Sequence, residues 1–330
     1  MPKGKRPRKG SLQFWPRKRA RKFLPNVNWK AVNSGKNLKG FIAYKAGMAS
    51  ALVKDNTSDS MTKNKQITIP VTILECPPMK IFSIRFYKEG VVMKDILSEQ
   101  LDKELKRKVK IPKKSSKKIE DVISPKANED SKESSENYDD VSLIVYSQVK
   151  KTGLKKKPDL TEIGIKGNLD EKIAFIKENL NKEISVLDIF EKMQLVDVRG
   201  LTKGYGLSGP VKRFGIKLKR AKSEKGRRRP GNVGPWHPAR VTFRVPMAGQ
   251  LGMFTRVHYN QKIIDLGKAS NKEIKNIKNY GNIKTDYVIV RGSVQGPAKR
   301  QLLITAPLRG SKKQIKKDFE LIELRWKLKF

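Results

Sequence analysis

The chain of 330 residues carries 74 Lys and Arg against 32 Asp and Glu, which gives a formal charge of +42 at pH 7. One cysteine, Cys76, and two histidines, His237 and His258, exclude an internal disulfide and the ligand set of a zinc finger. No apolar stretch approaches the roughly 18 residues of a spanning helix, and no apolar run follows the basic N-terminus, so we expect no membrane span and no secretory signal.

The positive charge is concentrated in particular segments, of which the first is the N-terminus. Residues 1–54 contain 15 Lys or Arg and no acidic residue, and four prolines before residue 26 prevent a continuous helix. We therefore predict a basic N-terminal extension over residues 1–40. Trp15 and Trp29 lie in it, and the pattern leaves open whether each ring faces a ligand or anchors the extension on a folded body.

Short β-branched or aromatic runs bounded by Gly, Pro or Lys predict strands in much of the remaining chain. Their irregular spacing favours a mainly β body, either a small barrel or a sandwich with insertions. The predicted strands cover residues 66–75, 81–87, 143–146, 195–198, 287–294 and 302–306.

A helical pattern follows the third of these strands. Asn168 can cap a helix with two carboxylates in its first turn and with Ile173, Ile176 and Leu180 on one face. A second short helix is predicted near Ser185.

The charge in residues 95–140 nearly cancels, with 11 basic and 12 acidic residues. Residues 113–140 are rich in Ser, Lys, Glu and Asp, which predicts an exposed insertion that is partly disordered.

A second acid-poor segment lies inside the chain. Between Val198 and Ile264 there are 16 Lys or Arg and one carboxylate, Glu224, and Gly and Pro exclude a long regular element. Apolar burial in such a segment cannot offset the ordering entropy and the self-repulsion, so we expect it to become ordered only among negative charges. The partner that releases condensed counterions on contact is nucleic acid.

The middle of this segment, RRRPGNVGPWHPAR, places three arginines beside a stiff turn with Trp236 and His237. Arginine forks bind phosphate in a bidentate manner, and exposed rings stack on unpaired bases. A Trp between two prolines in a loop without carboxylates is poorly placed for core packing, so we predict that Trp236 faces RNA.

Two patterns in the same segment could indicate catalysis, but other readings are favoured. Residues 204–209, GYGLSG, match the dinucleotide pattern G-x-G-x-x-G, yet Pro210 and Gly215 follow where a long helix should open. We instead interpret these glycines as positions where the backbone can approach RNA phosphates closely. His237 and His258 have no orienting carboxylate nearby, and His258 is predicted to be a strand residue half packed on the body.

The predicted organisation is an N-terminal extension at 1–40, a first β part at 41–95, an inserted α/β region at 96–190, a central extension at 200–260, and further β structure at 191–199 and 261–330.

Several motifs together carry a resemblance to a known family. VDVRGLTKGYGLSGPVKRFGIKLKR, GRRRPGNVGPWHPARV and VPMAGQLGMFTRVHYNQKI resemble the signature of the large-subunit ribosomal protein L-three family, the universal uL-three family, in its archaeal and eukaryotic form. GSLQFWPRKRA, AYKAGM and RGSVQGPAKRQLLITAPLR extend the resemblance over essentially the whole chain. The chain length favours the archaeal type.

This resemblance implies a mainly β fold with an α/β insertion, built on a six-stranded closed β-barrel of the translation-factor type with long basic non-globular extensions. It implies a structural constituent of the large ribosomal subunit that binds 23S-type rRNA, supports early subunit assembly and reaches toward the peptidyl transferase centre. Trp236 would stand at the tip of the central extension, the tryptophan finger. His237 is similar to a histidine that is methylated in eukaryotic members.

On this basis we expect a non-enzymatic protein of the cytoplasm, in the ribosome, with neighbouring large-subunit proteins as partners. We expect no catalytic residue, metal, cofactor, membrane or small-molecule substrate. The residues expected to bind rRNA are Arg17, Lys18, Arg19, Arg21, Lys203, Lys212, Arg213, Lys217, Lys219, Arg220, Arg227, Arg228, Arg229, Trp236, His237, Arg240 and Arg256.

Some positions depart from the family pattern. The family usually has Lys, an aromatic residue and Gln at the positions of Tyr205, Leu207 and Ser208, Trp at that of Phe214, and an apolar residue at that of Pro230. These departures put the RNA contacts of residues 204–214 in doubt. The alternatives to the ribosomal reading are a non-ribosomal RNA-binding chaperone or DNA-compacting protein and an RNA-modifying enzyme.

Overall fold

The computed structural model describes residues 12–112, 138–222 and 226–325. The chain divides into two compact units. One comprises Met1–Phe23 and Leu201–Arg256 and is called the basic unit below; the other comprises Leu24–Gly200 and Val257–Phe330 and is called the body.

The fold is mainly β. In the described ranges the strands are β1 (Gly40–Asp55), β2 (Gln66–Cys76), β3 (Met79–Lys88), β4 (Val91–Leu97), β5 (Asp140–Ser147), β6 (Leu160–Gly164), β7 (Leu195–Leu201), β8 (Gly206–Ser208), β9 (Gly249–Leu251), β10 (Thr255–Lys268), β11 (Asp286–Arg291), β12 (Gln301–Thr305) and β13 (Phe319–Arg325). The α-helices are α1 (Leu169–Asn179), α2 (Pro210–Phe214) and α3 (Lys312–Ile315). Short 3-10 helices cover Leu12–Phe14, Trp29–Ala31, Lys103–Arg107, Val149–Thr152 and Val186–Asp188.

The largest sheet has seven strands in the order β12-β7-β10-β11-β2-β1-β13, and β1 also pairs with β12. The long strand β1 makes these several pairings possible. Residues 40–44 pair with β12, residues 44–54 with β2, and residues 50–55 with β13, all antiparallel. The strands of this sheet carry side chains that are fully buried, among them Phe41, Ile73 and Leu303.

A second sheet has four strands in the order β4-β3-β5-β6. Strands β5 and β6 lie in the predicted insertion at 96–190, whereas β3 and most of β4 lie in the part predicted at 41–95. The buried side chains of this sheet, such as Ile84 and Leu143, join the same apolar cluster as Phe41. Helix α1 adds Ile176 to that cluster. The body therefore has one apolar cluster that joins both sheets and α1, and a second cluster that includes Ile73 and Ile289.

The six strands predicted from the sequence are confirmed, with ends that move by up to three residues. The predicted strand at residues 287–294 ends earlier, at Arg291, because Gly292 adopts a φ of 84° and breaks the extended backbone. The predicted strands do not include β1, whose Ala and Gly content weakens the strand pattern, nor β4, β6, β13 and the short β8 and β9. Strand β10 was anticipated only in the prediction that His258 is a strand residue.

The helix predictions are also confirmed. Helix α1 begins after Asn168, whose backbone N–H donates to Glu171 Oε2 at 3.2 Å. The second helix is a single 3-10 turn, in which Ser185 Oγ accepts from the Leu187 N–H at 3.2 Å. The prediction for residues 113–140 falls mostly on 113–137, which lie outside the described residues.

Buried charges fix the loops of the body. The Glu75 carboxylate is fully buried and accepts hydrogen bonds from the backbone N–H groups of Lys284 and Thr285, at 2.8 and 3.1 Å, and from the Tyr280 hydroxyl. The buried Lys262 ammonium donates to the carbonyl oxygens of Gln314 and Ile315 at the end of α3. A buried charge is tolerated when hydrogen bonds satisfy it in this way.

Candidate nucleic-acid interface

The basic unit differs from the body in its charge. Its two segments, residues 1–23 and 201–256, contain 24 Lys or Arg and one carboxylate, that of Glu224. The remaining chain contains 50 Lys or Arg and 31 carboxylates. Ion pairs within the basic unit are therefore almost impossible, and its cations need an anionic partner from elsewhere.

A small hairpin forms the framework of this unit. Strands β8 and β9 pair antiparallel, with Leu207 opposite Gln250. Gly252 follows β9 with a φ of 79°, and a Cβ there would lie 1.9 Å from the Lys203 carbonyl oxygen. Only glycine allows this close approach of the two backbone segments.

An aromatic cluster joins the N-terminal segment to the central segment within the same unit. The Trp15 ring stacks on Phe214 with ring centroids 5.9 Å apart and meets Phe243 edge-on at 5.6 Å. The Arg17 guanidinium lies over Phe214 at 4.3 Å and donates to the Arg213 carbonyl oxygen at 2.9 Å. Trp15 thus anchors the N-terminal segment, which the sequence left undecided.

Trp29, the other undecided residue, belongs to the body. It is partly buried and packs against the main apolar cluster. A Cβ at Gly164 would lie 2.7 Å from the Trp29 Cβ, and one at Gly40 would lie 3.0 Å from its ring. These two glycines make the space in which the Trp29 side chain fits.

Three of the arginines expected to bind rRNA are half-buried and hold the unit together. Besides Arg17, Arg213 donates to the carbonyl oxygens of Gln250 and Met247, both at 3.0 Å, and so braces the hairpin. Arg256 lies over the Phe14 ring at 4.1 Å. Burial lowers the pKa of both Arg213 and Arg256.

The other predicted residues, apart from Lys219, present their charges or rings at the surface. Lys219 is half-buried, and its N–H donates to the Arg227 carbonyl oxygen at 3.2 Å while Arg227 Nε donates to the Lys219 carbonyl oxygen at 3.1 Å. The exposed ones are Lys18, Arg19, Arg21, Lys203, Lys212, Lys217, Arg220, Arg227, Arg228, Arg229, Trp236, His237 and Arg240.

The segment around Trp236 has the most open structure of the unit. Residues 231–244 are all exposed, and the Trp236 side chain is 88% exposed. The backbone bonds there are local, such as the Gly234 N–H donating to Asn232 Oδ1 at 2.9 Å. An indole that meets so little protein is available for stacking on a base.

The sequence reading missed two aromatic residues that stand beside cations. Lys212 Nζ lies 4.0 Å from the centre of the Tyr205 ring, and the Arg256 guanidinium lies 4.1 Å from that of Phe14. Both rings are about half exposed. The available signal was the presence of aromatic residues in segments without carboxylates.

The residues considered for catalysis are placed differently from one another. His237 is exposed beside Trp236. His258 lies on β10, but its side chain is exposed, so the prediction of half packing is wrong. His258 lies before the stretch of β10, from Ile263 onward, that pairs with β11.

The glycine pattern at residues 204–209 includes strand β8. It is followed by α2, a helix of five residues that begins at Pro210. In the described ranges no three His, Cys, Asp or Glu side chains come together as metal ligands would. No helix in those ranges combines the length and apolarity that crossing a bilayer requires.

Comparisons with known proteins agree with this picture. The model of the family described as Ribosomal protein L3 matches residues 1–328. The chain is similar to "Large ribosomal subunit protein uL3" of Methanocaldococcus jannaschii, with 38% identity over 94% of each chain. It is also similar to the proteins of that name from Methanococcus maripaludis, with 38% identity over 98% of this chain and 96% of the relative, and from Archaeoglobus fulgidus, with 39% identity over 93% of each.

Proposed function

The chain belongs to the ribosomal protein L3 family, and from this premise we propose that it is a structural protein of the large ribosomal subunit that binds 23S-type rRNA through its basic unit. The matched relatives are named as proteins of the large ribosomal subunit, and the chain is not an enzyme. Family membership therefore disfavours the RNA-modifying enzyme considered above.

The observation that carries this proposal is the pairing of charge and exposure in the basic unit. Its 79 residues contain 24 Lys or Arg and one carboxylate. Among the residues that the structure describes, this unit holds ten of the nineteen exposed large hydrophobic side chains. Phosphates would neutralise the charge, and bases would cover the exposed rings. We propose that the thirteen exposed residues given above bind RNA, and that Arg17, Arg213, Lys219 and Arg256 mainly fix the unit's shape.

The finer parts of the proposal concern position and assembly. The tip around Trp236 would reach toward the peptidyl transferase centre, and the protein would support early subunit assembly beside neighbouring large-subunit proteins. We also propose the division into extensions at 1–40 and 200–260, a β part at 41–95, 191–199 and 261–330, and an α/β insertion at 96–190.

Within the β part we propose a closed six-stranded barrel of β12, β7, β10, β11, β2 and β1. It is supported by the pairing of β1 with both β2 and β12, which leaves no free edge among these six strands.

The proposal is tested by removing three exposed charges from the basic unit. In Arg227→Gln/Arg228→Gln/Arg229→Gln, the affinity for large-subunit rRNA should fall, and the slope of log K against log salt should become shallower by about 2 to 3, since each phosphate contact contributes about 0.7 to 0.9. The measurement is a titration of purified protein with rRNA at several salt concentrations.

The matched control removes three exposed charges from the charge-balanced insertion, in Lys106→Gln/Arg107→Gln/Lys108→Gln. Its salt slope should equal that of the unchanged protein. Equal slopes for the two triple variants would contradict the assignment of RNA binding to the basic unit.

A further inference from the structure

The exposed turn between Gly204 and Gly209, whose glycines the sequence predicts to approach phosphates, also carries two exposed side chains for which the sequence predicted no role. Tyr205 is 52% exposed, and Leu207 is 83% exposed. Both project from backbone that is held in place, because the Tyr205 N–H donates to the Leu251 carbonyl oxygen at 2.9 Å and Leu207 lies in β8. A turn that is already rigid loses little conformational entropy on binding. An exposed ring on such a turn is therefore preorganised for a partner.

The backbone of this turn is open at two of its glycines. A Cβ built at Gly206 or Gly209 would meet no described atom within 4 Å, apart from atoms of the chain neighbours, whereas one at Gly204 would lie 3.0 Å from Met253 Cγ. Gly206 has a φ of 60°, a conformation that side chains rarely adopt. The residue that follows Tyr205 in the chain therefore presents bare backbone.

A cation covers one face of the Tyr205 ring. Lys212 Nζ lies over this ring, 4.0 Å from its centre, and Lys203 is exposed nearby in sequence. Phe14 repeats the arrangement, 47% exposed with the Arg256 guanidinium over its ring, 4.1 Å from the centre. A half-exposed ring that also holds a cation complements a nucleotide, which carries an aromatic base near a phosphate.

We propose that Tyr205 and Phe14 are stacking sites for unpaired RNA bases, separate from the Trp236 tip, and that the basic unit thereby selects RNA with bulged or looped-out nucleotides over continuous duplex. This inference rests on the proposed function, since it names the RNA class that the same unit recognises. A base inside a duplex has both faces stacked and cannot use these rings, whereas an unpaired base can. An acidic peptide would satisfy the cations but would leave both rings exposed.

The test compares two RNA duplexes that differ only in one bulged 2-aminopurine. The full-length protein should bind the bulged duplex more tightly and quench its fluorescence. Tyr205→Ala should weaken binding of the bulged duplex by about 5- to 150-fold, the range for one base–aromatic stack, and leave the fully paired duplex unchanged. Tyr205→Phe keeps the ring and should stay within about twofold of the unchanged protein. Phe14→Leu should also reduce the preference for the bulged duplex.

The matched control is Tyr259→Ala, since Tyr259 is 51% exposed but belongs to the body. It should behave as the unchanged protein. The inference is overturned if Tyr205→Ala matches this control on the bulged duplex, or if it weakens both duplexes equally, which would indicate a structural role. Should the unchanged protein bind neither RNA, the proposed function itself fails.

Discussion

In the body, strands from distant parts of the chain bury apolar side chains such as Phe41, Ile73 and Leu303 completely. In the basic unit, Leu201 and Phe214 are the buried hydrophobic residues among those described. The body can thus obtain its stability from the hydrophobic effect, which grows with buried apolar area. The described part of the basic unit is held together by arginine hydrogen bonds, an aromatic cluster and a short hairpin, and the unit's sequence contains 24 Lys or Arg against one carboxylate. The comparison suggests that a protein can place its stability in one region and its binding capacity in another.

The largest effect that separates the two regions should come from truncating a buried side chain. Ile73→Ala should lower the free energy of unfolding by about 2 to 5 kcal/mol, because it removes buried methyl groups and leaves a cavity. Leu207→Ala removes an exposed side chain of the basic unit and should change it by about 0.5 kcal/mol or less. Urea unfolding measures the free energy of unfolding of both variants. Equal decreases in the two variants would show that the basic unit contributes to the core as the body does.

A smaller effect is expected at a buried carboxylate of the body. Burial raises the pKa of Asp55, but hydrogen bonds from Thr57, Thr62 and Ser60 outweigh it and hold the pKa well below its usual range. The distances to the Asp55 oxygens are 3.0 Å from the Thr57 N–H, 2.6 Å from Thr62 Oγ1 and 2.8 Å from Ser60 Oγ. Since the folded state binds this proton less readily than the unfolded state, the stabilisation is complete above about pH 4 and is lost as the pH falls through the folded pKa.

Asp55→Asn should therefore lower the free energy of unfolding at pH 7 by about 1 to 3 kcal/mol. It should also flatten the acid part of the stability curve, measured by urea unfolding between about pH 2 and pH 7. A variant whose curve keeps the acid slope of the unchanged protein would refute this role of Asp55.

The smallest effect concerns the framework of the basic unit. Arg213→Ala removes the hydrogen bonds to the Gln250 and Met247 carbonyl oxygens, which are partly open to solvent. Local opening of the hairpin should become easier by about 1 kcal/mol, so the amides of residues 249–251 should exchange faster by several-fold. Arg220→Ala, at an exposed position, is the control and should leave that exchange unchanged. If Arg213→Ala lowered the free energy of unfolding of the body by as much as it eases opening of the hairpin, the two regions would not be independent in stability.

Much of the body could be predicted from the sequence because its strands are β-branched runs with clear boundaries. Strand β1 escaped the prediction, since its Ala and Gly residues carry a weak strand pattern and its pairing with three other strands is a long-range property. The sequence also does not predict that the Glu75 carboxylate is buried and accepts hydrogen bonds from a distant loop. Its partners Tyr280, Lys284 and Thr285 are about 200 residues away in sequence.

The location of the candidate interface could be predicted, because charge is a property of composition. The sequence did not separate the arginines that face outward from those that brace the unit, since both types stand in the same basic runs. It also gave no sign that Trp15 packs against Phe214 and Phe243, because that contact spans about 200 residues of chain. The exposure of Tyr205 and Phe14 depends on the fold of the neighbouring backbone, which the sequence pattern does not predict.

The central claim is that the body is ordered by its own core, whereas the tip of the basic unit becomes ordered through RNA. Hydrogen exchange of the full-length protein, with and without large-subunit rRNA, tests it most directly. The amides of β1, β2 and β11 should be protected in both conditions. Those of residues 226–246, most of which are exposed, should exchange rapidly in the free protein and become protected on binding RNA. Protection of residues 226–246 to the same degree without RNA would contradict the account.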